Sequence, residues 1–253
     1  MSTTRITLLV DDLPALVRAA AANSRQPALE RIMSRGNFSR LAAPGADHLR
    51  FLLFGIESSG GLPIAALTHV TDREAQSAED AYWLRTDPVT LWADMAAVVM
   101  RGQGFADLDP YERNEIENCI RTVLQDEGIN LHGEHPERWC IALDKPLAFE
   151  FPPLQQALGA DISTVLPDHP EARFWHRLMN EIQVALHHCP VNQRRRQRGQ
   201  QEINSVWFWG GGFIPDAVPH DVFDTVYSNH PVSRGLALIN DCRIKCKIEA
   251  EQN

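Results

Sequence analysis

Cysteine is scarce in this chain of 253 residues: there are five, scattered and odd in number. That excludes a disulfide framework and fits a reducing compartment. Neither Cys-x-x-Cys nor His-Glu-x-x-His occurs. The looser sets, His132, Glu134 and His135 with Cys140, and Cys242 with Cys246, lack metal-site spacing, so no metal and no cofactor are expected. Gly-x-Gly-x-x-Gly, Gly-Lys-Ser, Gly-Lys-Thr and Gly-x-Ser-x-Gly are all missing, which removes the dinucleotide and P-loop fingerprints and the hydrolase elbow. No apolar run approaches the roughly 20 residues that span a bilayer. Met1 to Val10 lacks the apolar length of a signal peptide, so a cytoplasmic protein without membrane association is expected. Basic residues are in deficit, 24 against 33 acidic, for a net charge of −9. That argues against a nucleic-acid surface over the whole molecule.

Against this background one stretch stands out. Arg194, Arg195, Arg196 and Arg198 fall within five positions. An apolar run, Ile203 to Trp209, and then Gly210, Gly211 and Gly212 follow. Arginine presents always-charged donors that suit carboxylate and phosphate oxygens. Glycines let a backbone approach such a ligand and offer it N–H groups. A small anionic metabolite is the ligand this pattern suggests. The plainer alternative is a solvated basic turn after a helix, with the glycines making a tight turn. Asn192 and Arg195 are three apart and share a face if the helix continues, whereas Arg194, Arg196 and Arg198 are expected to be exposed. Glu181 either pairs with Arg177 along a helix edge or orients a group in a cleft.

Hydrophobic residues make up 44% of the chain, enough for a proper core. Strands are expected at 5–10, 48–55, 81–84, 95–100, 138–143, 203–209, 225–227 and 243–248. Helices are expected at 13–22, 28–34, from Asp109 to Gly128, over 170–188 and over 233–239, with 71–80 as a linker or short helix. Asp109, Pro110 and Glu112 make a capping-box start, and Gly128 a stop. The alternation implies an α/β or α+β fold with a mixed sheet flanked by helices. Segments 1–78, 79–215 and 216–253 are expected as the organisation, the last packed on the same core.

Trp83 to Leu91, Glu181-Ile182-Gln183, Pro190-Val191-Asn192 with Arg195 and Gly199, and Asn204 to Gly212 resemble the bacterial RpfE-type regulatory proteins, which are phosphoglycerate-mutase-like. The same order of features resembles part of the archaeal-type cofactor-independent phosphoglycerate mutases. There an Arg-x-Asn-Leu-Val-Thr-Leu segment, a capped helix, a Pro-Val-Asn-x-x-Arg turn and an Asn-rich strand ending in Gly-x-Gly recur. The resemblance covers Ala81 to Gly235 and implies a scaffold of the phosphoglycerate mutase and alkaline phosphatase kind.

The departures shape what it implies. Such mutases hold two metals with Asp and His and use a serine nucleophile. Their opening Asp-Gly-x-Gly-Asp motif is absent here, and no converging Asp and His set can be assembled; His220-Asp221 and Asp224 do not replace it. Asp87-Pro88 stands where the pattern has Asn-Leu. The resemblance therefore implies a non-catalytic regulatory or binding protein with no catalytic residues. Arg85, Asp87, Glu181, Asn192, Arg195, Asn204, Gly210, Gly211 and Gly212 are its expected ligand contacts, with Arg85 and Arg195 facing one cleft. Two alternatives stay open: an active mutase or phosphotransferase, and a protein-interaction module using the 194–198 turn with a protein partner.

Overall fold

A computed structural model describes residues 6–9, 27–36, 45–57, 61–73, 80–93, 97–103, 108–215 and 222–245. The chain divides into two compact units, residues 1–49 and 50–253. In the first, helix α1 (Pro27–Arg35) forms as expected, while residues 6–9 have no regular structure where a strand was expected. The expected helix at 13–22 lies outside the described residues. Helix α2 (Ala46–Leu53) replaces the strand expected at 48–55. Leu49, Leu52 and Leu53 follow the i, i+3, i+4 spacing of a helix, which outweighs the apolar character of the run.

The second unit is built around one long strand, β1 (Tyr82–Ala93), where only a short one at 81–84 was expected. On one edge it pairs with β4 (Arg138–Leu143) through residues 82–85 and with β2 (Val98–Gln103) through 89–93. The other edge pairs with β5 (Ser205–Gly212) through residues 83–89. Pro88, which has no N–H to give, falls between the stretches paired with β4 and β2. Strand β3 (Asn130–His135) completes the sheet beside β4. This sheet is antiparallel throughout, and β6 (Thr225–Tyr227) with β7 (Arg243–Lys245) form a separate parallel pair. A mixed sheet flanked by helices was expected; helices do flank the sheet, and among the described strands the parallel pairing is confined to β6 and β7.

Every residue of β1 from Tyr82 to Thr90 is buried, so both faces are covered. One face carries Arg85, Asp87 and their β5 partners Trp209 and Trp207. It meets helix α3 (Ile64–Arg73), where Thr68 accepts from Arg85. The opposite face carries Thr86 beside Phe208, whose ring lies 4.9 Å from Trp175. Trp175 belongs to helix α7 (Ala172–His188), which follows the one-turn helices α5 (Leu154–Ala157) and α6 (Ile162–Val165) and packs with helix α4 (Pro110–Asp126). Helix α4 starts as its sequence dictates: Asp109 accepts from the Glu112 N–H at 2.8 Å and Pro110 takes the first position.

Helix α3 was not legible as a helix. Its residues Ile64 to Thr71 are all buried, Thr68, His69 and Thr71 among them, so its polar residues do not mark a side turned to water. It lies against the sheet and against helix α9 (Pro231–Ile239), in the same unit as β1. A boundary near residue 78 therefore separates nothing in this packing. Gly235 of α9 rests on the Leu67 carbonyl, where an added Cβ collides with backbone that cannot yield. Gly235→Ala is expected to destabilise the protein by about 1–3 kcal/mol through overpacking. A urea midpoint unchanged by that substitution would contradict the α3–α9 contact.

Candidate functional site

The arginine run forms helix α8 (Pro190–Gln197), which starts directly after α7 with Cys189 between them. Each arginine meets a glutamate. Arg194 binds Glu115 at 2.6 Å, Arg195 binds Glu112 at 2.7 Å, Arg196 binds Glu202 at 2.5 Å, and Arg198 lies 3.8 Å from Glu112. Arg195 is completely buried and also donates through Nε to the Gln201 carbonyl at 2.7 Å. The basic patch of the sequence is thus largely neutralised by acidic residues of the chain itself. Arg195 was expected at a ligand; here it ties α8 to α4.

Asn192 does related work on the same helix face. Its side-chain N–H groups reach the carbonyls of Leu186 at 2.8 Å and Ile203 at 2.6 Å, and its oxygen accepts from the Ile203 N–H at 3.1 Å. All its polar capacity is spent joining the end of α7 to the approach to β5. Asn204 extends the β5 ladder through its side chain, accepting from the Leu91 N–H at 2.7 Å and donating to the Leu91 carbonyl at 2.8 Å. Glu181 takes the plainer of its two readings, an i,i+4 pair with the exposed Arg177 at 2.8 Å, and Arg177 also reaches Glu127.

On the opposite face of the sheet, Arg85 donates from Nε and Nη2 to Asp87 Oδ1 at 3.1 and 2.5 Å. Trp209 donates its indole N–H to Asp87 Oδ2 at 2.8 Å, and the Arg85 guanidinium lies 5.5 Å from the Trp209 ring centre. The i,i+2 spacing puts arginine and aspartate on one face of the strand. Arg85 and Arg195 therefore do not share a cleft: one is held beneath α3, the other against α4 on the far side. The glycines are packing devices. Gly210 has φ of +63°, and a Cβ there meets Ile64 at 2.9 Å. One on Gly212 meets Pro63 at 2.5 Å, and one on Gly211 collides with the Tyr82 hydroxyl. They let the end of β5 pass the start of α3.

A second polar layer under α3 draws on α3, β1, β3 and β4; the sequence reading weighed its His132, Glu134 and Cys140 only as a loose metal set and missed His69 and Asp72, which lie far before them along the chain. The His69 ring stacks on Trp83 with centres 3.7 Å apart and faces Cys140 Sγ through Nδ1 at 3.5 Å. His132 lies edge-on to both rings and 3.5 Å from Glu134. Asp72 is held by Arg138 through both carboxylate oxygens. Burial pushes the Cys140 thiol far up and the His69 imidazole down to about 4. His69 Nε2 is buried without a hydrogen-bond partner.

The mutase-type two-metal centre does not fit this layer. Its aspartates, Asp72 and Asp87, are taken by Arg138 and Arg85. Among the described residues no group of three or more His, Cys, Asp and Glu is placed to hold a metal ion.

His69 gives the protein a pH dependence. The folded state binds its proton near pH 4, the unfolded chain near the ordinary histidine value of 6.5. Between those values the unfolded state holds more protons, so stability is full above about 6.5 and falls as pH drops toward 4. Urea midpoints measured across that range should show a His69→Phe variant with a shallower acid slope than the parent.

An open groove of about 500 Å³ lies beside α7. Leu91, Val98, Ile162, Leu166 and Met179 supply apolar walls, Ser163, His176 and Asn180 supply donors, Asp161 adds a carboxylate, and Gln183 already donates to Ser205 at 3.3 Å. His176 Nε2 is buried without a hydrogen-bond partner. None of the expected ligand contacts lines this groove.

The chain matches no protein-family model. It is similar to the 2,3-bisphosphoglycerate-independent phosphoglycerate mutase of Methanosarcina mazei, 26% identical over 207 residues, 76% of this chain and 49% of that protein. It is also similar to the probable mutase of the same description from Geobacter sulfurreducens, 24% identical over 203 residues, 76% of this chain and 50% of that one. Among solved structures it resembles a cofactor-independent phosphoglycerate mutase from Thermoplasma acidophilum at 15% identity, over 81% of this chain and 58% of the other, with a TM-score of 0.43. The chain spans about half the length of the curated relatives it matches. By sequence it is a distant relative of the cofactor-independent phosphoglycerate mutases.

Proposed function

We propose that this chain is a non-catalytic regulatory or binding protein on a mutase-derived scaffold, with a small phosphorylated or carboxylated metabolite as its ligand. The observation that carries the reading is the buried Arg85–Asp87 pair, whose side chains are 5% and 0% exposed. The mutase pattern this strand resembles has asparagine where Asp87 stands. Asparagine leaves a neighbouring guanidinium its full charge, whereas aspartate neutralises it. An arginine so paired does not stabilise the charge that spreads over a transferring phosphoryl group. The groove beside α7 supports the binding half: Ser163, His176 and Asn180 offer donors to acceptor oxygens and its volume suits a small metabolite, while the Asp161 carboxylate in its lining opposes a second negative charge.

The test has two arms. A coupled assay with 3-phosphoglycerate and added manganese is expected to show no turnover. Melting curves with 3-phosphoglycerate, phosphoenolpyruvate or phosphate should rise for at least one of them. A ligand at one hundred times Kd adds about 2.7 kcal/mol, or roughly 5–10 °C for a chain of this size. Asn180→Ala and Gln183→Ala should remove the rise. Manganese-dependent turnover, lost on changing one Asp or His, would instead support an active mutase. The similarity to curated mutases over 76% of the chain favours that second reading. Melting curves that no metabolite moves would leave an interaction role as the better reading.

A further inference from the structure

We propose that Cys119 and Cys189 form a reversible disulfide, a redox-controlled cross-link between α4 and the junction of α7 with α8. The two sulfurs lie 2.9 Å apart although 70 residues separate them in sequence. Cys119 sits on α4 one turn after Glu115 and is partly exposed; Cys189 is the buried residue between the two helices. The other described thiols are engaged elsewhere, Cys140 facing His69 and Cys242 reaching the Phe223 carbonyl at 3.0 Å. Bond formation needs the sulfurs to close to about 2.05 Å, a movement within the reach of small side-chain rotations.

Hydrogen peroxide is a sufficient oxidant. The more exposed Cys119, as thiolate, attacks one peroxide oxygen; the O–O bond breaks, hydroxide leaves and a sulfenic acid forms. The Cys189 thiolate then attacks that sulfur and displaces the second hydroxide. The two thiol protons convert both hydroxides to water, so two thiols and one peroxide give one disulfide and two waters.

Burial, then the contact with Cys189 and the nearby Glu115, push the Cys119 thiol up to about 12. Arg194 from α8 is engaged by that same Glu115 and does not pair with the thiol. Little thiolate exists at neutral pH, so the reaction is slow there and gains about tenfold per pH unit toward alkaline conditions. This suits a response to sustained oxidation. The bond fixes the junction from which α8 carries Asn192 and Arg195 to their partners.

The full chain, reduced and then treated with peroxide at pH 8.5, is alkylated with maleimide under denaturing conditions and digested without reductant. The expected result is a fall from five alkylated thiols to three, with a peptide joining Cys119 to Cys189 that dithiothreitol releases. The intact oxidised protein should melt roughly 5–10 °C higher than the reduced one. Cys119→Ser should abolish that rise and Cys140→Ser should keep it. The peptide map of the parent chain decides by itself if a variant fails to fold. Oxidation that yields only sulfinic acids, intermolecular links or other cysteine pairs would overturn the proposal.

Discussion

Arg195→Ala should destabilise the protein by about 3–5 kcal/mol, the usual effect of leaving a buried charge without its partner. For a chain of this size that is a melting temperature lower by roughly 6–20 °C. The side chain is wholly buried, its partner Glu112 only 7% exposed, and the pair spans 83 positions of sequence between α8 and α4. Glu112→Gln should show a similar loss, because it strands the guanidinium instead of the carboxylate. The double variant Arg195→Met with Glu112→Leu should recover a substantial part of it, since neither charge is then buried alone. Arg198→Ala supplies the contrast. That side chain is 60% exposed and 3.8 Å from Glu112, so its loss should fall within about 0.5 kcal/mol. Equal and small effects at both arginines would return the run to a solvated basic patch.

Asp87→Asn is the second large effect, again expected at about 3 kcal/mol or more. Asparagine keeps the shape and an acceptor oxygen for Trp209, so the loss reports the charge that Arg85 no longer meets. Arg85 is almost fully shielded from water beneath α3, being 4% exposed. The loss should be visible as a lower denaturant midpoint with an unchanged slope. Arg85→Met combined with Asp87→Asn should be milder than Asp87→Asn alone. A single variant as stable as the parent would mean that the pair is dispensable, and the neutralised-arginine account of the strand would fall with it.

Sequence and structure agree where the physics is local. The start of α4 was legible because a capping side chain, a first-turn proline and the N–H they serve lie within four residues. The amphipathic α7 was legible because one face is buried and the other wet. The segment at 46–53 was misread because an apolar run carries strand and helix signals together, and only its i, i+3, i+4 spacing separates them. The helix at 64–73 was missed because its polar Thr68, His69 and Thr71 are buried along with its apolar residues, so polarity does not mark a wet side.

The candidate residues divide along the same line. From sequence alone came the unusual concentration of arginine, its place after a long helix, the asparagine three residues before Arg195 and the glycines closing a strand. Those are properties of neighbours along the chain. What only the tertiary structure decided is where each charge is satisfied. Glu115 and Glu112 lie 79 and 83 residues before the arginines they bind, and Trp209 lies 122 residues beyond Asp87. Charge pairing acts through space over a few ångströms and carries no mark in local sequence. So a run that reads as an open anion site folds into a set of internal clamps, and the open groove forms from residues that no local motif distinguishes.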